Sequence, residues 1–320
     1  MLCIHLDNKD HFFCLAAEEY LLKNFSADIF MLWQSTDSVV IGKHQNALAE
    51  INYPFVIKNN IKVARRISGG GTVFHDSGNI NFAYIKNIKD SAEINFSQFT
   101  QPVVDSLAKL NLKAASSGHN DLLIDEKKIS GNAEHIYKNR VLHHGTLLFN
   151  SDLEILGKAL ASLNSDKYTD KAVQSRRSTV ANISQYLNNN WTVKDFSKFL
   201  FDIQLENPAA SIYSLSEKDQ KEIDKLYREK FRTWEWNYGY SPKYVFANTT
   251  EIDTKNIAVI LKVEKGIITE GSVSGDYFSN EDSSLLTAKL KNIRHNYEDI
   301  RQLLTTTRSE VPDKLIFAFF

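Results

Sequence analysis

Between Arg65 and Asn79 the chain reads Arg-Arg-Ile-Ser-Gly-Gly-Gly-Thr-Val-Phe-His-Asp-Ser-Gly-Asn. Three successive glycines leave the backbone free to take positive φ and to approach a ligand closely. Their amides can line a concave nest for an anion, with Arg65 and Arg66 adding fixed charge. By themselves the same glycines also describe a flexible hairpin with a solvated basic edge, the commoner use of such a stretch. Apolar residues on both sides, Ile61 and Val63 before and Ile80, Phe82 and Tyr84 after, point to a loop between two buried strands.

No G-x-x-x-x-G-K-[ST] occurs, and the triple glycine does not fit the dinucleotide fingerprint, so neither standard phosphate cradle applies. Lys128, at a turn leading into Ser130 and Gly131, taken alone reads as a solvated hairpin lysine. His75, His119, His135, His143 and His144 match no compact zinc spacing, and no cysteine lies near them. Adjacent strand residues point to opposite faces, so His143 and His144 cannot serve one site. The chain has two cysteines, Cys3 and Cys14. Cys14 falls among apolar neighbours on an early helix, where a buried and inert thiol is expected.

The elements that must position these groups follow from the apolar pattern. Helical spacing over 11–23 is followed by strands at 29–33 and 38–42 around a polar turn, then a short helix near 47–51. A strand ending at Arg65, the glycine loop and a returning strand to about Ile85 come next. Phe96, Phe99, Val103, Val104, Leu107 and Leu110 form a helical stripe. A three-stranded meander runs from Asp121 to Phe149, with turns at Glu126-Lys127 and Lys138-Asn139-Arg140. Helices are expected at 152–163, 193–204 and 216–230. The basic, polar segment from Ser165 to Arg177 reads as a mobile surface loop.

Clustered aromatics beside Gly239 and Pro242 mark a boundary, giving domains 1–243 and 244–320. The second holds a hairpin around Glu264-Lys265-Gly266 and helices at 281–291 and 296–305. A length of 320 residues fits one large and one small domain. A net charge of -1 argues against a general nucleic-acid binder. The apolar run from Phe12 to Leu22 is broken by Glu18 and Glu19, so neither a signal peptide nor a membrane span is expected. Few cysteines fit a reducing compartment, the cytoplasm.

Several motifs, in order, resemble the lipoate–protein ligases, of the biotin/lipoate ligase superfamily. They are Arg65-Arg66-x-Ser68-Gly-Gly-Gly71-x-Val73-Phe74-His75-Asp76-x-Gly78-Asn79, Asn120-Asp121-Leu122, Lys128-Ile-Ser-Gly-x-Ala133 and His143-His144-Gly145-Thr146. Leu15-Ala-x-Glu-Glu-Tyr-Leu-Leu22, Val39-Val-Ile-Gly-x-His-Gln-Asn46 and Trp-x-Trp-Asn-Tyr-Gly-x-Ser-Pro242 agree too. The resemblance spans the chain from about residue 10 onward. It implies an α+β fold: a large mixed-sheet catalytic domain and a small α+β C-terminal accessory domain.

The resemblance also implies ATP-dependent activation of lipoate to lipoyl-AMP, with Mg²⁺, and transfer to a lysine of a lipoyl carrier domain. The implied carriers are 2-oxoacid dehydrogenase acyltransferase subunits and the glycine cleavage H protein. A monomer is expected, with neither nucleic acid nor membrane as partner. Carried over by motif, Arg66, Ser68, Gly69, Gly70 and Gly71 line the adenylate, with His75 and Asn79 beside them. Lys128 meets the lipoate carboxyl and the α-phosphate, and Asp121 orients it. Gly131, Ala133 and His144 complete the set. Lys171, Ala172, Ser175, Val180 and Asn182 match the adenylate-binding loop more loosely. Phe74, Phe82 and Trp33 suit either the wall of an acyl tunnel or ordinary core. The alternatives are an ATP-independent octanoyl or lipoyl transferase, which needs a cysteine well inside the domain, and a carrier-restricted ligase using a donor such as lipoamide.

Overall fold

The computed structural model describes residues 1–88, 95–118, 120–161, 165–176, 178–188 and 190–320. His119 and Arg177, singled out above, lie outside the described residues, as does part of the helix expected to reach 163. The strands in chain order are β1 (Leu2–His5), β2 (Ile29–Trp33), β3 (Ser38–Ile41), β4 (Lys62–Arg65), β5 (Val73–His75) and β6 (Asn79–Asn87). Then come β7 (Ala115–Ser116), β8 (Asp121–Ile124), β9 (Lys127–Tyr137), β10 (Arg140–Leu148) and β11 (Tyr168–Thr169). The last are β12 (Ser211–Ile212), β13 (Tyr244–Ile252), β14 (Lys255–Glu264) and β15 (Ile267–Gly275).

The chain forms two compact units. The first, residues 1–43, 61–158 and 175–233, carries an eight-stranded mixed sheet of order β12-β1-β2-β6-β10-β9-β8-β7 and a three-stranded sheet of order β4-β3-β5. Together with the second unit's antiparallel sheet and helices, this is the α+β architecture expected.

Strand alternation divides the large sheet into two faces. Leu32, Phe82, Tyr84, Leu147 and Phe149 belong to a core shared with Phe99 and Val103 of the helix Ser97–Lys109 and Phe196 of the helix Val193–Leu205. His144 meets Glu18 of the opposite layer's helix, His11–Asn24. That helix is started by Asp10, whose side chain accepts from the amides of Phe12 and Phe13. It is buried along most of its length, as expected of a helix apolar on nearly every side.

Three expectations are revised. Strands β2 and β3 do not pair around their turn: β2 lies between β1 and β6, and β3 between β4 and β5. The returning strand splits into β5 and β6, in different sheets, because Asp76 Oδ1 accepts the Gly78 amide at 2.8 Å and turns the chain. The carbonyl of Gly78 then accepts from Phe149 and Asn150. The segment after Ser165 is also partly regular. Tyr168 and Thr169 pair with Phe246 and Val245, since the Tyr168 ring has Tyr244 and Phe246 to pack on.

The second unit, residues 44–60, 159–174 and 234–320, is built on the antiparallel sheet β11-β13-β14-β15. Ile257, Val259, Leu261 and Val263 of β14 face its core, while Ile260 faces out. The turn at Lys265-Gly266 has φ values of 51° and 72°, as a tight hairpin needs. Tyr53 packs on Phe320 with ring centres 4.6 Å apart, so residues 44–60 fold with the C-terminal elements. Helices Asn280–Lys289 and Tyr297–Leu304 cover the sheet as expected. Among the described residues no helix is long and apolar enough to cross a membrane.

Two glycines give opposite forecasts. A Cβ at Gly78 would lie 2.0 Å from the Asn150 carbonyl oxygen, whereas one at Gly157, within the helix Leu153–Ala159, meets nothing within 4 Å. Gly78→Ala should lower stability by about 2 kcal/mol or more. Gly157→Ala should raise it by about 0.5–1 kcal/mol. Urea denaturation of both variants checks the pair, and similar midpoints for the two would contradict the packing described.

His295 sets an acid limit. With its proton on Nε2 it donates to the Phe319 carbonyl at 2.5 Å, and Nδ1 accepts the Tyr244 hydroxyl at 2.8 Å. Burial pulls it down to about 4, against the smaller opposing effect of the Phe319 carbonyl. An unfolded histidine titrates near pH 6.5, so between about 6.5 and 4 the unfolded chain binds the extra proton. Stability is therefore complete above pH 6.5 and falls as pH drops, by at most about 1.4 kcal/mol per pH unit from this residue. Thermal midpoints from pH 7 to 4 should fall less steeply for His295→Phe than for the wild type.

Candidate active site

The glycine loop joins β4 to β5, the two strands flanking β3. Arg65 anchors its start: fully buried, it donates from Nη1 to the carbonyls of Gly42 and Lys43, both at 3.0 Å. Arg66 turns inward beneath the loop. Its Nε donates to Ser68 Oγ at 3.0 Å and its Nη1 to the Val40 carbonyl at 3.1 Å. Its Nη2 donates to the carbonyls of Gly69 and Gly71, at 2.6 and 2.7 Å. Burial lowers this guanidinium to about 10, with Glu18 opposing, so it stays charged near neutrality. Four of its N–H groups shape the loop while the charge is retained.

With two of their carbonyls drawn to Arg66, the glycines present their amides elsewhere. Among the described residues the N–H groups of Gly69, Gly70 and Gly71 donate to no protein acceptor. These three glycines are only partly buried. Gly70 has a φ of +86°, and a Cβ there would lie 3.1 Å from Arg66 Nη2. A left-handed, crowded position of this kind belongs to glycine. Ser175 Oγ closes the far end by accepting the Thr72 amide at 2.8 Å.

Lys128 stands on β9, braced along its backbone. Its N–H donates to the Thr179 carbonyl at 2.8 Å, and its carbonyl accepts the Ala181 amide at 3.0 Å, giving a parallel bridge to Val180. Its Nζ meets Asp121 Oδ1 of β8 at 2.9 Å. The side chains are 22% and 26% exposed, so the pair is neither sealed nor fully solvated. A Cβ at Gly131 would come within 3.0 Å of Lys128 Cε and Nζ and 3.9 Å of Val73 Cγ1. The missing side chain is where the lysine lies. A Cβ at Gly70 would stand 3.7 Å from that of Ala133. Small residues on β9 thus let the glycine loop and Lys128 approach one another.

The remaining expected residues are placed less uniformly. His144 Nε2 meets Ser68 Oγ at 2.6 Å, and its Nδ1 meets Glu18 Oε2 at 2.7 Å. His75, at the end of β5, lies edge-on to Trp33, and burial pulls it down to about 3, so it is neutral. Asn79 donates to Asn81 Oδ1 at 3.0 Å. Asn182 spends its amide on the Ser151 backbone, accepting at 2.9 Å and donating at 2.8 Å. Lys171 and Ala172 belong to the second unit, where the Ala172 amide donates to Asp170 Oδ1. Lys171 is exposed there. Phe82 belongs to the helix-covered core beneath the other face, whereas the Trp33 indole donates to Glu18 at 3.0 Å.

Glu18 joins this group without being among the expected site residues, although a carboxylate inside an apolar run is a visible signal. Thr179 joins it as well; its contribution is a backbone carbonyl and leaves no mark on residue type.

Residues 10–203 match the lipoyl protein ligase A/B catalytic domain, and residues 241–315 match the C-terminal domain of bacterial lipoate protein ligases. Lipoate–protein ligase 1 of Staphylococcus aureus is 38% identical over 91% of this chain and 89% of its own length. Two solved structures are each 26% identical to this chain. The bipartite lipoate protein ligase of Thermoplasma acidophilum, studied with its E2 lipoyl domain, superposes with a TM-score of 0.64 over 75% of this chain and 96% of its own. A lipoate–protein ligase A bound with ATP gives 0.63 over 75% of this chain and 98% of its own. With the ordered motifs and matched domains agreeing, the chain belongs to the lipoate–protein ligase family.

Proposed function

We propose that the protein activates lipoate with ATP to lipoyl-AMP, releasing pyrophosphate, and then transfers the lipoyl group to a lysine of a lipoyl carrier domain. The observation that carries this reading is the row of glycine amides without acceptors among the described residues, packed on Ala133 of the strand that also carries Lys128. Attack of a carboxylate on the α-phosphorus brings two anions together, and oriented N–H groups with a nearby cation lower that cost. The amides of Gly69, Gly70 and Gly71 receive phosphate oxygens, and Lys128 bridges the α-phosphate and the acyl oxygen. Asp121 holds the ammonium in place. His75, Asn79, Gly131, Ala133 and His144 line or back this pocket, Ser175 fixes the loop's far end, and Lys171 is a further nucleotide-binding residue.

Mg²⁺ enters with ATP, shared between the nucleotide's phosphates and water. In the second half-reaction the carrier amine attacks the acyl carbon and AMP departs. Lys128 stabilises the developing oxyanion, and its charge disfavours a protonated amine. The carriers are 2-oxoacid dehydrogenase acyltransferase subunits or a glycine cleavage H protein. One copy carries every group named, so a monomer suffices. Residues 244–320 act as the accessory domain to the catalytic residues of 1–243, and the protein works in the cytoplasm, where Cys3 and Cys14 stay reduced.

The acyl-cysteine transferase reading is not favoured. Both thiols are buried, and burial pushes Cys14 well above the ordinary thiol range, so neither is an exposed thiolate.

Purified protein with ATP, Mg²⁺, lipoate and an apo carrier domain should yield the lipoylated carrier by intact mass, and omitting ATP should abolish the product. Product without ATP would instead support the transferase. Lys128→Ala should cut lipoate-dependent ATP–pyrophosphate exchange by about a hundredfold or more, the scale of losing one transition-state donor. Wild-type exchange in that variant would remove Lys128 from the mechanism.

A further inference from the structure

Glu18 is 1% exposed, on a helix whose buried residues are mostly apolar. A buried carboxylate persists only where donors satisfy it. Two do: the Trp33 indole at 3.0 Å to Oε1 and His144 Nδ1 at 2.7 Å to Oε2. Indole and guanidinium are donors only, and a carboxylate accepts only, so with a neutral His144 the direction of every bond in the series is fixed. Arg66 Nε–H donates to Ser68 Oγ, the Ser68 hydroxyl donates to His144 Nε2, and His144 Nδ1–H donates to Glu18. Arg66 then holds the carbonyls of Gly69 and Gly71.

From this geometry we infer that Glu18 is a positioning residue for the adenylation site, acting through His144, Ser68 and Arg66 on a loop it does not touch. The inference rests on the ligase reading above. The order carboxylate, imidazole, hydroxyl is also that of a nucleophilic triad. Here Ser68 is fully buried and its oxygen accepts a guanidinium N–H, so it transmits orientation and does not attack. An uncharged amide at position 18 cannot accept from both the indole and His144. One contact must break, or the imidazole must move its proton to Nε2 and reverse the series.

Glu18→Gln should therefore raise the KM for ATP and lipoate in pyrophosphate exchange by about tenfold, with kcat within about threefold, because Lys128 is braced separately. Glu18→Asp, which keeps an acceptor-only group, should fall between Gln and wild type. Glu19→Gln is the control for mere destabilisation. Glu19 is equally buried, but its partners are Lys23 at 2.6 Å and Lys230 at 2.5 Å, so its loss should leave both KM values unchanged. Two-bond ¹H–¹⁵N spectra of the wild type should show His144 protonated on Nδ1, and those of Glu18→Gln should show Nε2–H. Unchanged KM in folded Glu18→Gln, an equal rise in Glu19→Gln, or an Nε2–H tautomer in the wild type would each overturn the inference. If Glu18→Gln does not fold, the wild-type tautomer and the Glu18→Asp kinetics still decide it. Wild-type protein without exchange would sink the ligase reading, and the tautomer would then judge the relay separately.

Discussion

A guanidinium buried inside a protein must find acceptors for its N–H groups, and Arg66 finds two of them in the glycine loop that follows it. Two of the loop's carbonyls turn toward the arginine, and among the described residues the amides of Gly69, Gly70 and Gly71 have no protein acceptor. Unpaired backbone donors are costly when sealed from water. Partial burial keeps them within reach of solvent or of an anion. The arginine's charge thus acts mostly by conformation: it determines what the glycines present. A lysine would not serve in its place, because one ammonium cannot hold Ser68, Val40, Gly69 and Gly71 together in a planar fork.

The loop needs a neighbour that comes close, and β9 provides it by carrying small residues on the facing side. Gly131 leaves room for Lys128 to fold back, and Ala133 lies opposite Gly70. The alternating residue Asn132 points to the other face, where Asn132 Oδ1 fills the space a side chain at Gly145 would need. Gly131 and Ala133 thus keep β9 small where the glycine loop and Lys128 need room, while Asn132 fills the opposite face. The segment Thr179–Ala181 then fixes Lys128 by its backbone, while Ser175, a few residues earlier, fixes the loop. One stretch of chain registers both halves of the site against each other.

Much of this was legible in the sequence because residue type carried it. Glycine where only glycine fits, a Lys-x-Ser-Gly turn and two adjacent histidines on opposite faces all leave marks that can be read without coordinates. The meander from β8 to β10 was equally plain from its turns. Sheet membership was less so: β2 and β3 are consecutive and similar in composition, and their separation depends on partners distant in sequence. Phe82 and Trp33 lie one residue out of register on facing strands, which reverses their faces, and apolar type alone cannot report that. Asn182 has the polarity of a ligand contact but spends it on Ser151. Thr179 could not have been found at all, because a backbone carbonyl has no residue signature.

The arrangement suits an intermediate that is held without a covalent bond. Both thiols are buried, so a reactive acyl anhydride has to be retained by hydrogen bonds and shape. Free amides provide that retention without a side chain that could attack the anhydride. Lys128, a partly exposed cation, is already paired with Asp121 at 2.9 Å, so its charge is held in place by a neighbouring carboxylate. In the proposed mechanism, sharing Lys128 with a carboxylate weakens its hold on a phosphate. That is an advantage in a two-step reaction, because an intermediate bound too tightly is as slow to react as it is to leave. The same charge then favours an incoming lysine only after it has lost its proton, since an ammonium would meet Lys128 as a like charge. On the proposed reading, a moderately engaged lysine near a row of amides serves both half-reactions, with the amides supplying the constant part of the binding and the lysine the part that changes between them.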